Sequence, residues 1–238
     1  MVGDTAFVAG KVDQAFSFDG VGDYVEVPND PSLRPGFSSF SIDFWLSTSS
    51  QAFQVFFNIG STASGSGGVI RFDTGQGGSD KVRYVLGDGA GNIGVIGGNS
   101  ADVNDGQFHH IALAVDGPNQ LATLYVDGAE DSLRFFGGLG SIDPTGPLFF
   151  GGGLAAGDML GELDEIEFFD RQLSESEVQA IYLAGSAGKC GGPPSCPPDF
   201  SLVPVDPPGT GRDRNGNGLV CEKDLGRRVL VIDDITGA

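Results

Sequence analysis

Residues Asp105 to Gly128 read DGQFHHIALAVDGPNQLATLYVDG, and this stretch decides the fold. Ile111, Leu113 and Val115 alternate with Ala112, Ala114 and Asp116, the period-two pattern of a half-buried strand. Asp116-Gly117-Pro118-Asn119 is dense turn chemistry, because Gly and Asn tolerate positive φ and Pro fixes its own. Leu121 to Val126 returns as a second strand, and Asp127-Gly128 turns again. A one-residue slip would carry Ile111, Leu113 and Val115 into water, so the register is strongly specified. His109 falls on the core-facing register and is expected to be a satisfied core histidine.

Outward from this hairpin the same pattern repeats. Ala15 to Val27 predicts two strands around Asp19-Gly20-Val21-Gly22-Asp23. In Phe40 to Leu46, Phe40, Ile42, Phe44 and Leu46 form one row, with Asp43 and Trp45 in the other. Phe53–Ile59, Val69–Asp73, Lys81–Leu86, Asn92–Ile96, Ser132–Phe136, Leu148–Gly151 and Gly161–Phe169 read as further strands. Gly/Ser runs such as 61–68 and 75–79 separate some of them. Ser174 opens the one expected helix: Ser174 at the cap and Glu177 at the third helical position form a capping box. Val178, Ile181 and Tyr182 recur at helical spacing and are expected to pack on the sheets.

Three segments, in order, resemble laminin-G-like, concanavalin A-like lectin/glucanase jelly rolls. They are FSFDGVGDYVEVP (16–28), the central hairpin, and GELDEIEFFDRQLSESEVQAIY (161–182). Phe108 stands where that family usually has the Trp of a Trp-His-His. The resemblance implies an all-β, two-sheet antiparallel jelly-roll sandwich over residues 1–186, with one short helix near 174–183.

Composition narrows the function classes. Forty glycines, thirteen prolines and eighteen phenylalanines suit many short strands around an aromatic core. A formal net charge of -19 argues against nucleic acid, whose phosphates need clustered Lys and Arg, and against anionic membranes. That charge either solvates the surface in extracellular water or places Asp residues for calcium, a hard cation with oxygen ligands. No apolar run reaches membrane-spanning length, and Met1-Val2-Gly3 is not a signal peptide. The expectation is a piece of a larger multidomain secreted or surface protein.

Composition changes after 185–188. Residues 187–198, with CGGPPSCPP, read as a linker, and 199–238 as a small tail. Asp213-Arg214-Asn215-Gly216-Asn217-Gly218 matches the first half of an EF-hand calcium loop, with Asp224 in the place of the bidentate Glu. Asp213, Asn215, Asn217 and Asp224 are therefore calcium candidates; an Asn/Gly-rich turn is the alternative. The tail also resembles short calcium-loop modules that end some bacterial surface proteins, which implies a Cys196–Cys221 bridge. Cys190–Cys196 is the competing bridge.

The jelly-roll resemblance implies a second calcium site from Asp19, Asp23, the Gly20 carbonyl and Asp164, bringing the first strand pair to the closing strand. The alternative is that these are separate turn formers, which Asp-Gly readily supplies. A third candidate is a ligand face. Trp45, Arg71, Asp73, Arg83 and His110 all fall on the non-core register, and an aromatic with Arg, Asp and His suits a pyranose ring. Against this, Trp45 under the 174–182 helix and ordinary cross-strand polar pairs would explain the same residues.

An enzyme is not expected. GxSxG, HExxH and a credibly spaced Cys-His pair are absent, and two adjacent histidines do not build a triad. A glycosidase needs two facing carboxylates, and the nearest set is Glu162, Asp164, Glu165 and Glu167. The reading is a non-catalytic, calcium-stabilised carbohydrate-binding module whose partner is a polysaccharide or glycan. A structural or adhesive domain with structural calcium is the alternative.

Overall fold

The computed structural model describes residues 1–61, 65–74, 81–153 and 157–188, with the backbone alone of 95–101, 201–204, 219–224 and 229–233. The chain divides into two units, Met1–Tyr182 and Leu183–Ala238. In chain order the first carries β1 (Ala6–Ala9), β2 (Gln14–Asp19), β3 (Val25–Val27), β4 (Phe40–Ser47), β5 (Gln54–Gly60), β6 (Val69–Thr74) and β7 (Lys81–Gly87). It continues with β8 (Ile93–Asp102), β9 (Phe108–Asp116), β10 (Leu121–Val126), β11 (Ala129–Phe135), β12 (Leu148–Phe150), β13 (Leu160–Phe169) and the start of α1 (Glu175–Ala184).

These strands form two antiparallel sheets. One has the order β1-β2-β13-β4-β9-β10-β11, the other β3-β12-β5-β6-β7-β8. The inner faces supply the core, as the alternation predicts: Ile42, Phe44 and Leu46 from β4 and Ile111, Leu113 and Val115 from β9 meet Ile70, Phe72, Tyr84 and Leu86. Phe44 and Phe72 touch edge to face across the gap, centroids 5.2 Å apart. Each such side chain contributes about 1.5–3 kcal/mol by leaving water. The central hairpin pairs Leu121 with Asp116 through Val126 with Ile111, the register its turn requires.

Strand β1 was not expected from the sequence, and neither was the full length of β8. Helix α1 begins as its capping box predicts: the Glu177 N–H donates to Ser174 Oγ (3.3 Å) and the Ser174 N–H to Glu177 Oε2 (2.8 Å). Val178 is fully buried against Ala112, Ala114, Tyr125 and Leu173, on the outer face of the seven-stranded sheet. The second unit holds a three-stranded sheet of β14 (Ser201–Pro204), β15 (Leu219–Asp224) and β16 (Val229–Asp233). Asp224 ends β15 opposite Val229, and Cys221 lies opposite Leu202 and Ile232. Asp213, Asn215, Asn217, Cys190 and Cys196 lie outside the described residues, as do the side chains of Cys221 and Asp224.

Candidate functional site

The predicted ligand face divides between two surfaces. Trp45 and His110 are cross-strand neighbours on β4 and β9, in the seven-stranded sheet. Arg71, Asp73 and Arg83 lie on β6 and β7, in the other. Period-two alternation states which side of its own strand a residue takes; it does not state which sheet the strand joins. The expected single face of five residues is therefore two outer faces on opposite sides of the core.

Trp45 is 2 % exposed and His110 is fully buried. Tyr182 of α1 stacks over Trp45 at 5.9 Å, and Lys11 Nζ sits 4.3 Å from the indole centroid. His110 Nε2 lies 3.3 Å from Asp43 Oδ2, also fully buried. The Tyr182 ring contacts with Trp45 and His110 help hold α1 on the sheet, and neither sheet residue is available to a ligand.

On the six-stranded sheet the outer face is built differently. Asp73 is fully buried, and Arg83 reaches it across the strands with Nε on Oδ1 (2.6 Å) and Nη2 on Oδ2 (2.9 Å). Such a two-point pairing fixes the guanidinium plane. Arg71, two residues before Asp73 on the same strand, brings Nε to 2.8 Å from Oδ2, an ion pair without hydrogen-bond alignment. Both Arg side chains keep about a fifth of their surface in solvent, 22 % and 20 %.

Register extends this face to residues that sequence reasoning missed. Glu26, Phe149, Asn58, Arg71 and Val85 lie opposite one another in turn across β3, β12, β5, β6 and β7. Leu148 and Phe150 enter the core, so Phe149 between them points outward, where Tyr24 meets its ring edge-on at 5.7 Å. The signal for Asn58 was present, a polar residue alternating with Phe57 and Ile59. Three apolar residues in a row at 148–150 gave none for Phe149.

At one rim of the sandwich, three carboxylates converge. Oxygens of Asp4, Asp19 and Asp23 lie within 4.8 Å of one another. The Asp4 and Asp19 N–H groups donate to Asp23 Oδ1 and Oδ2 (2.8 and 3.0 Å). Burial works to raise the Asp23 carboxyl, but the Asp19 and Asp4 amides outweigh it and hold it below the usual range. Gly20, at φ +87°, makes the turn between Asp19 and Asp23. Asp158 joins from the β12–β13 loop, accepting the Gly22 N–H at 2.9 Å.

Asp164 is not brought to this cluster. Leu160 is the residue paired with Asp19, so Asp164 lies four positions further along β13, roughly 13 Å at strand rise. Its Oδ2 accepts the Val12 N–H (2.8 Å) and its Oδ1 the Glu165 N–H (2.8 Å). Glu165 has φ +48° in the bulge between Asp164 and Glu167, and that bulge turns the carboxylate onto the β1–β2 hairpin. Asp4, which no motif marked, reaches the site because Val2 pairs with Tyr24.

His109 is core-facing by register, opposite Leu46, but it lies near a strand end. There Nδ1 meets Asp127 Oδ2 at 2.8 Å and Nε2 meets Asp105 Oδ1 at 3.1 Å. It is satisfied, by rim carboxylates. A concavity of about 550 Å³ lies between Gly91–Gly94 and Phe135–Leu139, and none of the predicted site residues lines it.

A family model described as the concanavalin A-like lectin/glucanases superfamily matches residues 19–179. No curated protein sequence matches the chain. The fold is similar to the binding domain of Paraclostridial Mosquitocidal Protein 1 (14% identity, TM-score 0.61), covering 95% of this chain and 60% of that one. It is also similar to domain 4 of AbnA, an extracellular arabinanase of Geobacillus stearothermophilus solved with arabinotriose (18% identity, TM-score 0.59, covering 75% and 81%). A third likeness is a heptameric SAP-like pentraxin of Limulus polyphemus (13% identity, TM-score 0.54, covering 70% and 80%). At these identities the solved structures speak for the fold, and the chain spans 60% of the mosquitocidal binding domain's length. With its three segments in order, its two sheets and the family match, the chain belongs to the concanavalin A-like lectin/glucanases superfamily.

Proposed function

We propose that the chain is a non-catalytic carbohydrate-binding module, calcium-stabilised and part of a larger secreted or surface protein. The observation that carries this reading is the outer face of the six-stranded sheet, where Phe149 and Arg71 lie on one rung either side of a buried Asn58, beside the Asp73–Arg83 pair. An aromatic ring offers a surface to the C–H face of a pyranose, and a fixed guanidinium offers paired donors to adjacent hydroxyls. The arabinanase domain solved with arabinotriose shares this fold, which supports a sugar as ligand. Calcium fits the rim on donor chemistry: Asp4, Asp19 and Asp23 are hard oxygen donors whose mutual repulsion a divalent cation would relieve.

The test is a glycan array probed in millimolar calcium and in chelator, with melting curves in both. Saturable, competable binding to a defined set of sugars is expected, weakened by Phe149→Ala. Melting should rise in calcium, by the equivalent of about 2.7 kcal/mol at a hundredfold excess over Kd, and Asp19→Ala should remove the rise. Uniform silence on the array would sink the sugar reading and favour a structural or adhesive domain.

A further inference from the structure

Charge on the same face narrows the ligand. Arg71 has Asn58 and Val85 as its cross-strand partners, and Arg83 has Asp73 and Gly97. The other partner of Asp73 is Val55. Two guanidiniums therefore share one carboxylate, with no second anion among their register neighbours. Lys81, two residues before Arg83, is matched by Asp102 on β8 at 3.2 Å. Arg71 and Arg83 thus set two cations against the single carboxylate of Asp73, leaving one positive charge in excess within this trio. That excess stands on a chain whose net charge is -19.

The distribution of contacts indicates which group carries it. Arg83 commits two aligned N–H donors to Asp73, whereas Arg71 approaches the same carboxylate with Nε out of hydrogen-bond alignment. A guanidinium has five donors in a planar fork, and its strongest neutral-pH partner is another planar oxyanion. Hydroxyls of a neutral sugar would leave the excess charge uncompensated. A carboxylated sugar would supply the missing anion and align with the fork.

We propose that the Arg71–Asp73–Arg83 face selects acidic sugars, a uronate or sialate carboxylate pairing with the Arg71 guanidinium. The proposal rests on the carbohydrate-binding reading and adds the class of sugar. Asp73 acts as a positioning residue that holds both guanidiniums.

Isothermal titration of the full chain with matched pairs tests it: oligogalacturonides against their methyl esters, and sialyllactose against lactose. At low salt at least one acidic member should bind roughly tenfold more tightly than its neutral counterpart. Raising ionic strength from about 0.05 M to about 0.5 M should carry that ratio toward one, because a charge pair near the surface is screened. Arg71→Gln leaves Asp73 with both bonds from Arg83, so the fold should survive, checked by melting. The acid-to-neutral ratio should then fall to about one, while Arg71→Lys, which keeps the charge, should retain part of the preference. Equal binding of acidic and neutral partners by the unaltered protein, or a preference that persists in Arg71→Gln, would overturn the inference alone. Absence of binding to every sugar would overturn the carbohydrate reading and this inference with it.

Discussion

Both sheets carry a buried carboxylate on the outer face, and the two are treated in opposite ways. On the seven-stranded sheet Asp43 faces His110, Trp45 lies beside them, and Tyr182 of α1 closes over the ring pair. On the six-stranded sheet Asp73 faces two arginines whose heads keep about a fifth of their surface in water. In the first case the polar atoms turn inward and the aromatic contributes packing. In the second the carboxylate is spent on holding two cations where solvent reaches them. Residue types alone would have suited either face to a sugar; the two arginine heads keep contact with solvent and the Trp45 ring does not.

The largest expected effect comes from the sealed face. Trp45→Ala removes a buried indole, its stacking with Tyr182 and the contact with Lys11, which should cost about 3–5 kcal/mol. Melting should fall by roughly 10 °C or more. Sugar affinity, measured well below the new melting point, should not change. A loss of affinity at full folding would break the comparison, because it would make the sealed face part of the site.

Next in size is the arginine-bearing face. Asp73→Asn takes the anion from between two guanidiniums that remain. Breaking a buried pair costs about 3–5 kcal/mol, and the solvent contact of both heads lowers that to roughly 2–3 kcal/mol here. Urea unfolding measures it. Unlike Trp45→Ala, this substitution should also weaken sugar binding, since both guanidiniums lose their anchor. Full affinity with reduced stability would show that the cluster only holds the sheet together.

These two faces also show what the sequence could convey. Alternation placed Trp45, Asp43, Arg71, Asp73 and Arg83 off the core, and the capping box at Ser174–Glu177 located α1, because both signals are local. The core rows of β4 and β9 were legible for the same reason. The partition of strands between sheets was not, since it depends on pairings between segments far apart in the chain. The rim cluster was half legible: Asp19 and Asp23 flank a Gly-rich turn, but Asp4 arrives through the Val2–Tyr24 pairing and Asp158 through a loop 136 residues away from Gly22. Asp164 was drawn elsewhere by a bulge, whose effect on side-chain direction no hydrophobic pattern announces.

The smallest expected effect concerns the cover itself. Burial works to raise the Glu177 carboxyl, but the Arg171 guanidinium (Nη2 to Oε1, 2.9 Å) and the Ser174 amide and hydroxyl outweigh it and hold it at about 2. The ordinary value is 4.5, so the depressed value adds stability above about pH 4.5 that is lost as pH falls toward about 2. The carboxylate is 42 % exposed, and the contribution is accordingly under about 1 kcal/mol. Glu177→Gln should therefore be slightly less stable than the unaltered protein near neutrality, with the gap closing as pH falls from about 4.5 to about 2. Trp45 is the chain's single tryptophan and lies beneath Tyr182, so its fluorescence should follow any loosening of the helix. A gap between the two proteins that is unchanged at pH 2 would assign the stabilisation to side-chain shape instead of charge. The acid sensitivity of the helical cover would then have to arise elsewhere in the molecule.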